Sequence, residues 1–234
     1  SWMECREKKE LFALSFRKML FLFNENKGNE LTAFYRAASL SNIYRFITQY
    51  HMTEGNLEIK ERNQVAFFPG TFDPFTLSHK EIVREIRDLG YEVFLAVDEF
   101  SWSKKAQPHL IRRQIVSMSV ADEFHVNLFP DEIPVNIANP ADLKRLREVF
   151  SGKELYIVVG SDVIANASSY KKKPVKNSIH SMNHIAFRRV GDVKSDNKYN
   201  RQMMDQISGK VVELELPEHL EDISSTRIRE NIDL

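Results

Sequence analysis

Strand-like and helix-like patterns alternate from residue 65 to the end of the chain, and this limits the fold more than any other feature. Short apolar runs lie at 65–68, 91–97, 125–129, 155–159, 184–188 and 211–216. Stretches between them, among them 77–86, 110–123 and 141–150, have the apolar spacing of helices. This alternation is typical of an open, mostly parallel α/β sheet with right-handed crossovers. Ligands bind such sheets at the carboxyl ends of the strands, near a topological switch point.

The first apolar run leads through a glycine turn into a helix. Pro69 and Gly70 are expected to end the strand, and Ser78 to cap the helix that follows. Free amides and the positive end of the helix dipole converge at such a turn. The sequence therefore predicts a phosphate site at 70–79, where His79 adds a donor for an anionic oxygen.

Residues 1–62 have a different character from the α/β domain, which we expect to span 64–234. Apolar residues, many of them Phe, recur at helical spacing in 11–23 and 31–50, with a polar break at 24–29. The pattern predicts a helical hairpin that forms an N-terminal helical extension. Its apolar faces are expected to pack on the following domain or on a longer parent chain. A homo-oligomer or partner-docking surface is the alternative.

The composition argues against several classes of partner. Lys plus Arg and Asp plus Glu number 33 each, so neither nucleic acid nor a membrane is expected as a partner. Cys5 is the one cysteine, which excludes an internal disulfide and a Cys-based zinc cluster. His180 and His184 are four residues apart, but they straddle a predicted loop–strand boundary, so no metal site is predicted. No secretory signal is recognised, and a cytoplasmic protein is expected.

The turn after the first strand carries a family resemblance. Gly70-Thr71-Phe72-Asp73-Pro74, followed by Thr76-Leu77-Ser78-His79, resembles the first motif of the nucleotidyltransferase superfamily, whose loop ends in His-x-Gly-His. Thr76 stands where many members have the first histidine, and Ser78 where they have glycine. The resemblance implies that His79 stabilises the α-phosphate of ATP in the transition state. It also implies that Thr76 and the loop residues Gly70, Thr71, Phe72 and Asp73 hold the phosphate chain.

A second stretch of this kind lies near the end of the chain. Ile223-Ser224-Ser225-Thr226-Arg227-Ile228-Arg229 closely resembles the last motif of the superfamily. The residues alone fit a capped C-terminal helix equally well. The resemblance, which covers 64–232, implies that Ser224, Ser225, Thr226 and Arg227 bind the β- and γ-phosphates.

The basic segment 101–113 follows the second strand and therefore lies at the same edge of the sheet. Lys104 and Lys105 could reach phosphates as point charges, and Arg112 or Arg113 could grip one bidentately; an exposed basic loop is the alternative. Gln107-Pro108-His109 followed by Arg112 resembles the Pro-His-Lys loop of nicotinate mononucleotide adenylyltransferases, with Leu110 in place of the lysine. The resemblance implies that Lys105 neutralises the leaving pyrophosphate and that Lys104 and Arg112 bind substrate.

The apolar run 155–159 ends in Gly160-Ser161-Asp162. Glycine leaves room for a ring or ribose, and Asp162 can accept from sugar hydroxyls or cap the next helix. The stretch resembles the Gly-x-Asp of the same adenylyltransferases, in which a tryptophan eight residues further on stacks on the pyridine ring. Tyr170 stands at that position. Phe187-Arg188-Arg189-Val190-Gly191 resembles the Arg-Pro-Gly turn of these enzymes, which implies Arg188 as a substrate ligand.

Together the resemblances imply a Rossmann-like nucleotidyltransferase that moves AMP from ATP to a small phosphate acceptor. Nicotinate or nicotinamide mononucleotide is the expected acceptor, and Mg²⁺ is expected to arrive with ATP, because no dedicated carboxylate cage is visible. Thr76 favours phosphopantetheine as an alternative acceptor, and CTP is an alternative nucleotide. A non-catalytic nucleotide-binding module of a larger protein is a further alternative, which Ser78 and Leu110 favour.

Overall fold

The computed structural model describes residues 62–98, 106–120, 123, 125–188, 202 and 204–215. Six strands form one sheet: β1 (Gln64–Gly70), β2 (Glu92–Val97), β3 (Val126–Leu128), β4 (Glu154–Gly160), β5 (Asn183–Arg188) and β6 (Val211–Glu215). The helices between them are α1 (Leu77–Asp88), α2 (His109–Ser119), α3 (Pro140–Val149), α4 (Ser161–Asn166) and α5 (Ser168–Lys171). A turn of 3₁₀ helix (Ile179–Ser181) precedes β5.

The strand order is β3-β2-β1-β4-β5-β6, and every neighbouring pair is parallel. The predicted α/β sheet is therefore confirmed. The chain builds outward from β1 to β3 and then returns to the other side of β1 with β4, which places the switch point between these two strands. Phe67 pairs with Ile157. Gly70 and Gly160, each three residues further on, therefore end their strands side by side at the carboxyl edge.

Helices cover both faces of the sheet, so successive residues of one strand enter opposite cores. In β1, Phe67 packs in the cluster that contains Leu143 of α3, and Phe68 in the cluster that contains Ile82 of α1. Residues 65–68 are all buried. Burial on both faces explains why the central strands appear in the sequence as continuous apolar runs.

The ends of two elements differ from the predictions. β1 continues through Pro69 to Gly70, whose partner is Val97 of β2. α2 ends at Ser119 rather than at Glu123. Glu123 lies beyond the helix, and its carboxylate binds Arg84 of α1. Over the described residues, the structure contains no helix with the length and hydropathy needed to cross a membrane.

Candidate functional site

Thr76 and His79 form a reciprocal pair of hydrogen bonds at the start of α1. Thr76 is the N-cap: its Oγ1 accepts the backbone N–H of His79 at 3.4 Å, and His79 Nδ1 accepts the backbone N–H of Thr76 at 3.0 Å. This arrangement is a capping box, with histidine in the place usually taken by Glu or Gln. The prediction that Ser78 caps the helix is wrong, because Ser78 lies inside the first turn and is buried.

The capping box determines which nitrogen of His79 carries the proton. Nδ1 faces both the backbone N–H of Thr76 at 3.0 Å and the Thr76 hydroxyl at 2.8 Å. A hydroxyl can donate or accept but a backbone N–H can only donate, so this network assigns Nδ1 as the acceptor. The neutral imidazole therefore carries its proton on Nε2. His79 is thus oriented as an Nε2–H donor in the first turn of a helix whose N-terminus follows the carboxyl end of β1.

Three phenylalanines fix the plane of the His79 ring. Phe75 stacks on it with centroids 5.4 Å apart and an interplanar angle of 24°, and Phe72 meets it edge-on at 5.4 Å. Phe68 lies further away, at 6.5 Å. These phenylalanines are buried, whereas His79 keeps partial exposure to solvent. The ring is therefore held by apolar neighbours without being sealed in the core.

The 70–73 loop joins β1 to this helix start. Phe72 has a left-handed backbone with φ of 47°, and its ring lies over Gly70. A Cβ on Gly70 would come within 2.9 Å of that ring, which explains the glycine. Asp73 is buried and its Oδ1 accepts the backbone N–H of Gln107 at 3.3 Å. The structure thus turns the side chains of Phe72 and Asp73 inward, and leaves Thr71 partly exposed.

Arg112 has a different position from the one predicted. Its side chain is buried, and its guanidinium donates to the backbone carbonyls of Thr71, Asp98 and Gln107 at 2.6, 3.0 and 2.8 Å. This corrects the expectation that Arg112 grips a substrate phosphate, because these donors are turned to the protein's own carbonyls. Arg113 donates to Phe129 O and pairs with Asp131, both of which follow β3 in the chain.

Gly160 and Asp162 lie together at the carboxyl end of β4. Gly160 is the N-cap residue of α4, so the alternative of Asp162 as the cap is wrong. Asp162 lies in the first helical turn, is exposed, and approaches Gly160 so closely that a Cβ there would collide with its Oδ1. The ring of Phe187 from β5 lies within 3.3 Å of the same Cβ position. With glycine at 160, the carboxylate and the ring can both lie against the backbone; a Cβ there would displace the exposed Asp162 side chain and press on the Phe187 ring.

Tyr170 is not an exposed ring. It is fully buried: its hydroxyl donates to His184 Nε2 at 2.9 Å, and its backbone carbonyl accepts from His180 Nε2 at 3.0 Å. His184 Nδ1 in turn donates to Met182 O at 2.8 Å. Burial lowers the pKa of the His184 imidazole to about 4, against the opposing effect of the Met182 hydrogen bond. The structure corrects the expectation that Tyr170 stacks on a bound pyridine ring.

Arg188 ends β5 and is partly exposed. Its Nη2 pairs with Glu213 of β6 at 2.9 Å. Within the described parts of the chain, no group of three or more His, Cys, Asp or Glu side chains could hold a metal ion. Six predicted site residues lie outside the described residues: Lys104, Lys105, Ser224, Ser225, Thr226 and Arg227. Of the predicted helical extension, 1–62, only residue 62 is described.

Two contributors to the site were missed in the sequence analysis. Phe75 stacks on His79, and the spacing of four residues between them was the available signal. Phe187 was noted only as part of a turn motif, although it packs against Phe68 with centroids 5.8 Å apart and lines Gly160. Its position depends on β4 and β5 being neighbours, which the sequence does not state.

Comparison with known proteins identifies the family. The model of the cytidylyltransferase-like family matches residues 67–231. The chain belongs to this family. The match begins in β1, includes the Thr76–His79 capping box and extends beyond β6. The predicted membership of the nucleotidyltransferase superfamily, and with it the enzyme class, is confirmed.

Individual relatives agree with this assignment. A probable nicotinate-nucleotide adenylyltransferase of Clostridium perfringens strain 13 is 28% identical over 178 residues, which cover 72% of this chain and 86% of the relative. A solved structure of Plasmodium falciparum nicotinic acid mononucleotide adenylyltransferase complexed with NaAD superimposes with a TM-score of 0.56 at 18% identity. It covers 72% of this chain and 83% of that one. The same enzyme complexed with APC gives 0.54 at 17% identity. These structures establish the shared fold.

Proposed function

We propose that this protein transfers AMP from ATP to the phosphate of nicotinate mononucleotide and releases pyrophosphate. Nicotinamide mononucleotide is the closely related acceptor that the test must separate from it. Family membership over residues 67–231 supports nucleotidyl transfer, and the curated relatives named as nicotinate-nucleotide adenylyltransferases support this acceptor.

The observation that carries the proposal is the placement of His79. Its Nε2-bound proton lies in the first turn of α1, next to the 70–73 loop at the switch point of the sheet. In the reaction, an oxygen of the acceptor phosphate attacks the α-phosphorus of ATP. The bond from that phosphorus to the oxygen bridging to the β-phosphate breaks, and pyrophosphate leaves with that oxygen. Such a transfer needs in-line positioning and charge stabilisation rather than a covalent protein intermediate.

Each proposed role follows from the chemistry of the residue. His79 donates its Nε2–H to an oxygen of the α-phosphate, where negative charge rises in the transition state. The backbone around Gly70 and Thr71, with the start of α1, holds the phosphate chain. Asp162, exposed at the carboxyl edge of β4, accepts from ribose hydroxyls. Arg188, partly exposed at the end of β5, is proposed to approach the acceptor.

Further proposed ligands lie beyond the described residues. Lys104 and Lys105 would neutralise the leaving pyrophosphate, and 224–227 would hold its β- and γ-phosphates, on the strength of their motifs alone. Mg²⁺ fits this site as an ion carried by ATP. The loop carboxylate, Asp73, is buried and bonded to Gln107, and the described residues offer no cluster of metal ligands. When bound with ATP, Mg²⁺ would neutralise part of the charge of the phosphates.

The test is pyrophosphate release by the purified chain with Mg-ATP and a panel of acceptors. The panel contains nicotinate mononucleotide, nicotinamide mononucleotide, phosphopantetheine and glycerol 3-phosphate, each repeated with CTP. We expect the highest kcat/KM with ATP and nicotinate mononucleotide, and a loss of about 10²–10⁴-fold in kcat for His79→Ala.

The matched control is His125→Ala. His125 lies just before β3 and pairs with Glu92, the first residue of β2, at 2.7 Å. Both residues are at the amino ends of their strands, away from the proposed site, so the loss of His125 should leave kcat close to wild type. Turnover that survives in His79→Ala would refute the role of His79. Binding of ATP by calorimetry without turnover on any acceptor would refute the enzyme and leave a nucleotide-binding module.

A further inference from the structure

Arg112 joins three separate segments of backbone at the carboxyl edge of the sheet. Its Nη1 donates to Thr71 O in the 70–73 loop, its Nη2 to Asp98 O just after β2, and its Nε to Gln107 O just before α2. A guanidinium is planar and presents its N–H groups in a rigid fork. Three bonds from one such group therefore fix the three carbonyls relative to one another.

Other hydrogen bonds connect the same segments directly. The backbone N–H of Asp98 donates to Gly70 O at 2.9 Å, and the backbone N–H of Gln107 donates to Asp73 Oδ1 at 3.3 Å. The 70–73 loop is thus attached at Gly70, Thr71 and Asp73. Each attachment leads either to Arg112 itself or to a residue whose carbonyl Arg112 holds.

Because Arg112 is buried, its charged guanidinium needs hydrogen-bond acceptors within the protein. Its exposure is 2%, so the charge is held in the protein only because its N–H groups have acceptors. Nearby, burial raises the pKa of the Asp98 carboxyl, against the opposing charges of Arg112 and His109. Replacing Arg112 by an apolar residue would leave the carbonyls of Thr71, Asp98 and Gln107 without this donor.

We propose that Arg112 is a positioning residue that presets the 70–73 loop for ATP. It acts through Thr71 directly and through Gln107 on Asp73, without touching the substrate. The inference rests on the proposed function, because it assigns the loop to the nucleotide phosphates. Misplacing a binding group by about 1 Å can cost on the order of 10²-fold in rate, so loss of the clamp should reach the chemistry.

The test separates geometry from charge. Arg112→Met removes both, whereas Arg112→Lys keeps a positive charge on a flexible stem that cannot reproduce the planar fork. We expect both variants to raise the KM for ATP by about tenfold or more, and to leave the KM for the acceptor within about twofold of wild type. A lysine variant with wild-type KM for ATP would overturn the proposal, because charge alone would then suffice.

The matched control is Arg147→Met. Arg147 lies in α3 and also holds a loop, through Asn177 Oδ1, Ser181 O and Ser181 Oγ at 3.0, 2.9 and 3.0 Å. That loop leads into the amino end of β5, at the other edge of the sheet. We expect this variant to lower thermal stability without changing the KM for ATP. A similar rise in that KM would reduce Arg112 to a general structural role.

Chemical rescue gives a readout that a purely structural role would not move. In Arg112→Ala, guanidinium at low millimolar concentration should enter the vacated space and restore the affinity for ATP, whereas methylammonium should not. Equal rescue by both cations, or by neither, would count against the clamp. Arg112→Lys keeps the test usable if the alanine and methionine variants fail to fold.

A measurement without substrate separates this inference from the proposed function. Amide hydrogen exchange of peptides that cover 70–75 should be faster in Arg112→Met than in wild type, with 154–160 unchanged. If residues 70–75 exchanged at the same rate in Arg112→Met as in wild type, the positioning role would be overturned. If the wild-type protein lacks turnover, the proposed function fails, and the exchange pattern still decides whether Arg112 holds the loop.

Discussion

The Nδ1 atom of His79 accepts the backbone N–H of Thr76 at 3.0 Å, so the N-terminal cap of α1 and the tautomer of the histidine depend on the same hydrogen bond. Capping and orientation are usually separate tasks. Here they share one side chain, whose ring also stacks on Phe75. The two tasks can be separated by substitution, because each uses a different nitrogen.

We predict that His79→Asn separates them. Asparagine Oδ1 can take the place of Nδ1 as the acceptor for Thr76 N–H, but asparagine has no group at the position of Nε2. The variant should keep its unfolding free energy within about 1 kcal/mol of wild type and lose about 10²-fold or more in kcat. His79→Ala, measured beside it in urea titrations, should lose both. An active asparagine variant would contradict the donor role of Nε2.

Gly70 is predicted to tolerate no side chain unless Phe72 changes with it. A Cβ at Gly70 would lie 2.9 Å from the buried Phe72 ring, so Gly70→Ala should cost about 1–3 kcal/mol of stability through overpacking. Phe72→Leu removes the obstructing ring atoms. In a double-mutant cycle the pair should therefore be less destabilised than the sum of the two single changes. Additive losses would show that the contact does not explain the glycine.

The sequence predicted the sheet well because of how its strands are buried. β1 and β4 contact cores on both faces, so they are continuously apolar and easily recognised. β3, with three residues, had the weakest pattern, and its predicted range was too long. The cap at Thr76 was missed because Ser78, two residues later, was predicted to be the cap. A capping box usually ends in Glu or Gln, so His79 gave no sign of one.

The candidate site was predicted less well, because a sequence does not give the direction of a side chain. Arg112 and Tyr170 lie in segments that follow the carboxyl ends of β2 and β4, as expected, yet both side chains are buried. An arginine bonded to three backbone carbonyls cannot be distinguished in the sequence from one that binds phosphate. Likewise, Tyr170 makes its hydrogen bond to His184, fourteen residues away, a partner that only the folded chain supplies.

Glu123 should be important for the attachment of α1. Its carboxylate is buried and binds Arg84 at 2.7 Å, Arg87 more closely still, and Lys80 at 3.6 Å. Because the cations keep some contact with water, we expect Glu123→Gln to lower the unfolding free energy by about 1–3 kcal/mol.

The control for this variant is Glu148→Gln. Glu148 forms an exposed pair with Lys144 at 3.9 Å, and its loss should cost less than about 0.5 kcal/mol. Urea unfolding at neutral pH measures both variants. Equal effects would mean that the Glu123 cluster behaves as an ordinary surface ion pair.

His184 should make the protein less stable in mild acid. Burial holds the pKa of the folded imidazole at about 4, below its ordinary value of 6.5. As the pH falls below 6.5, His184 becomes protonated in the unfolded chain, whereas in the folded protein it stays neutral until near pH 4. The free energy of unfolding therefore decreases between pH 6.5 and pH 4. By linkage the loss should reach roughly 2 kcal/mol between pH 7 and pH 5.

The comparison variant for this effect is His184→Gln, which removes the titrating group. It should be less stable than wild type at pH 7, because it disturbs the hydrogen bonds to Tyr170 and Met182, but its stability should change less between pH 7 and pH 5. Between pH 7 and pH 5 Glu92 does not interfere. Burial alone would raise the pKa of its carboxyl, but hydrogen bonds from His125 and Asn127 and the positive charges of His125 and Arg62 together hold this pKa below its ordinary value. Protonation of Glu92 therefore adds its own loss only in stronger acid. Urea unfolding at each pH measures the slopes, and equal slopes in the two proteins would assign the acid sensitivity to another group.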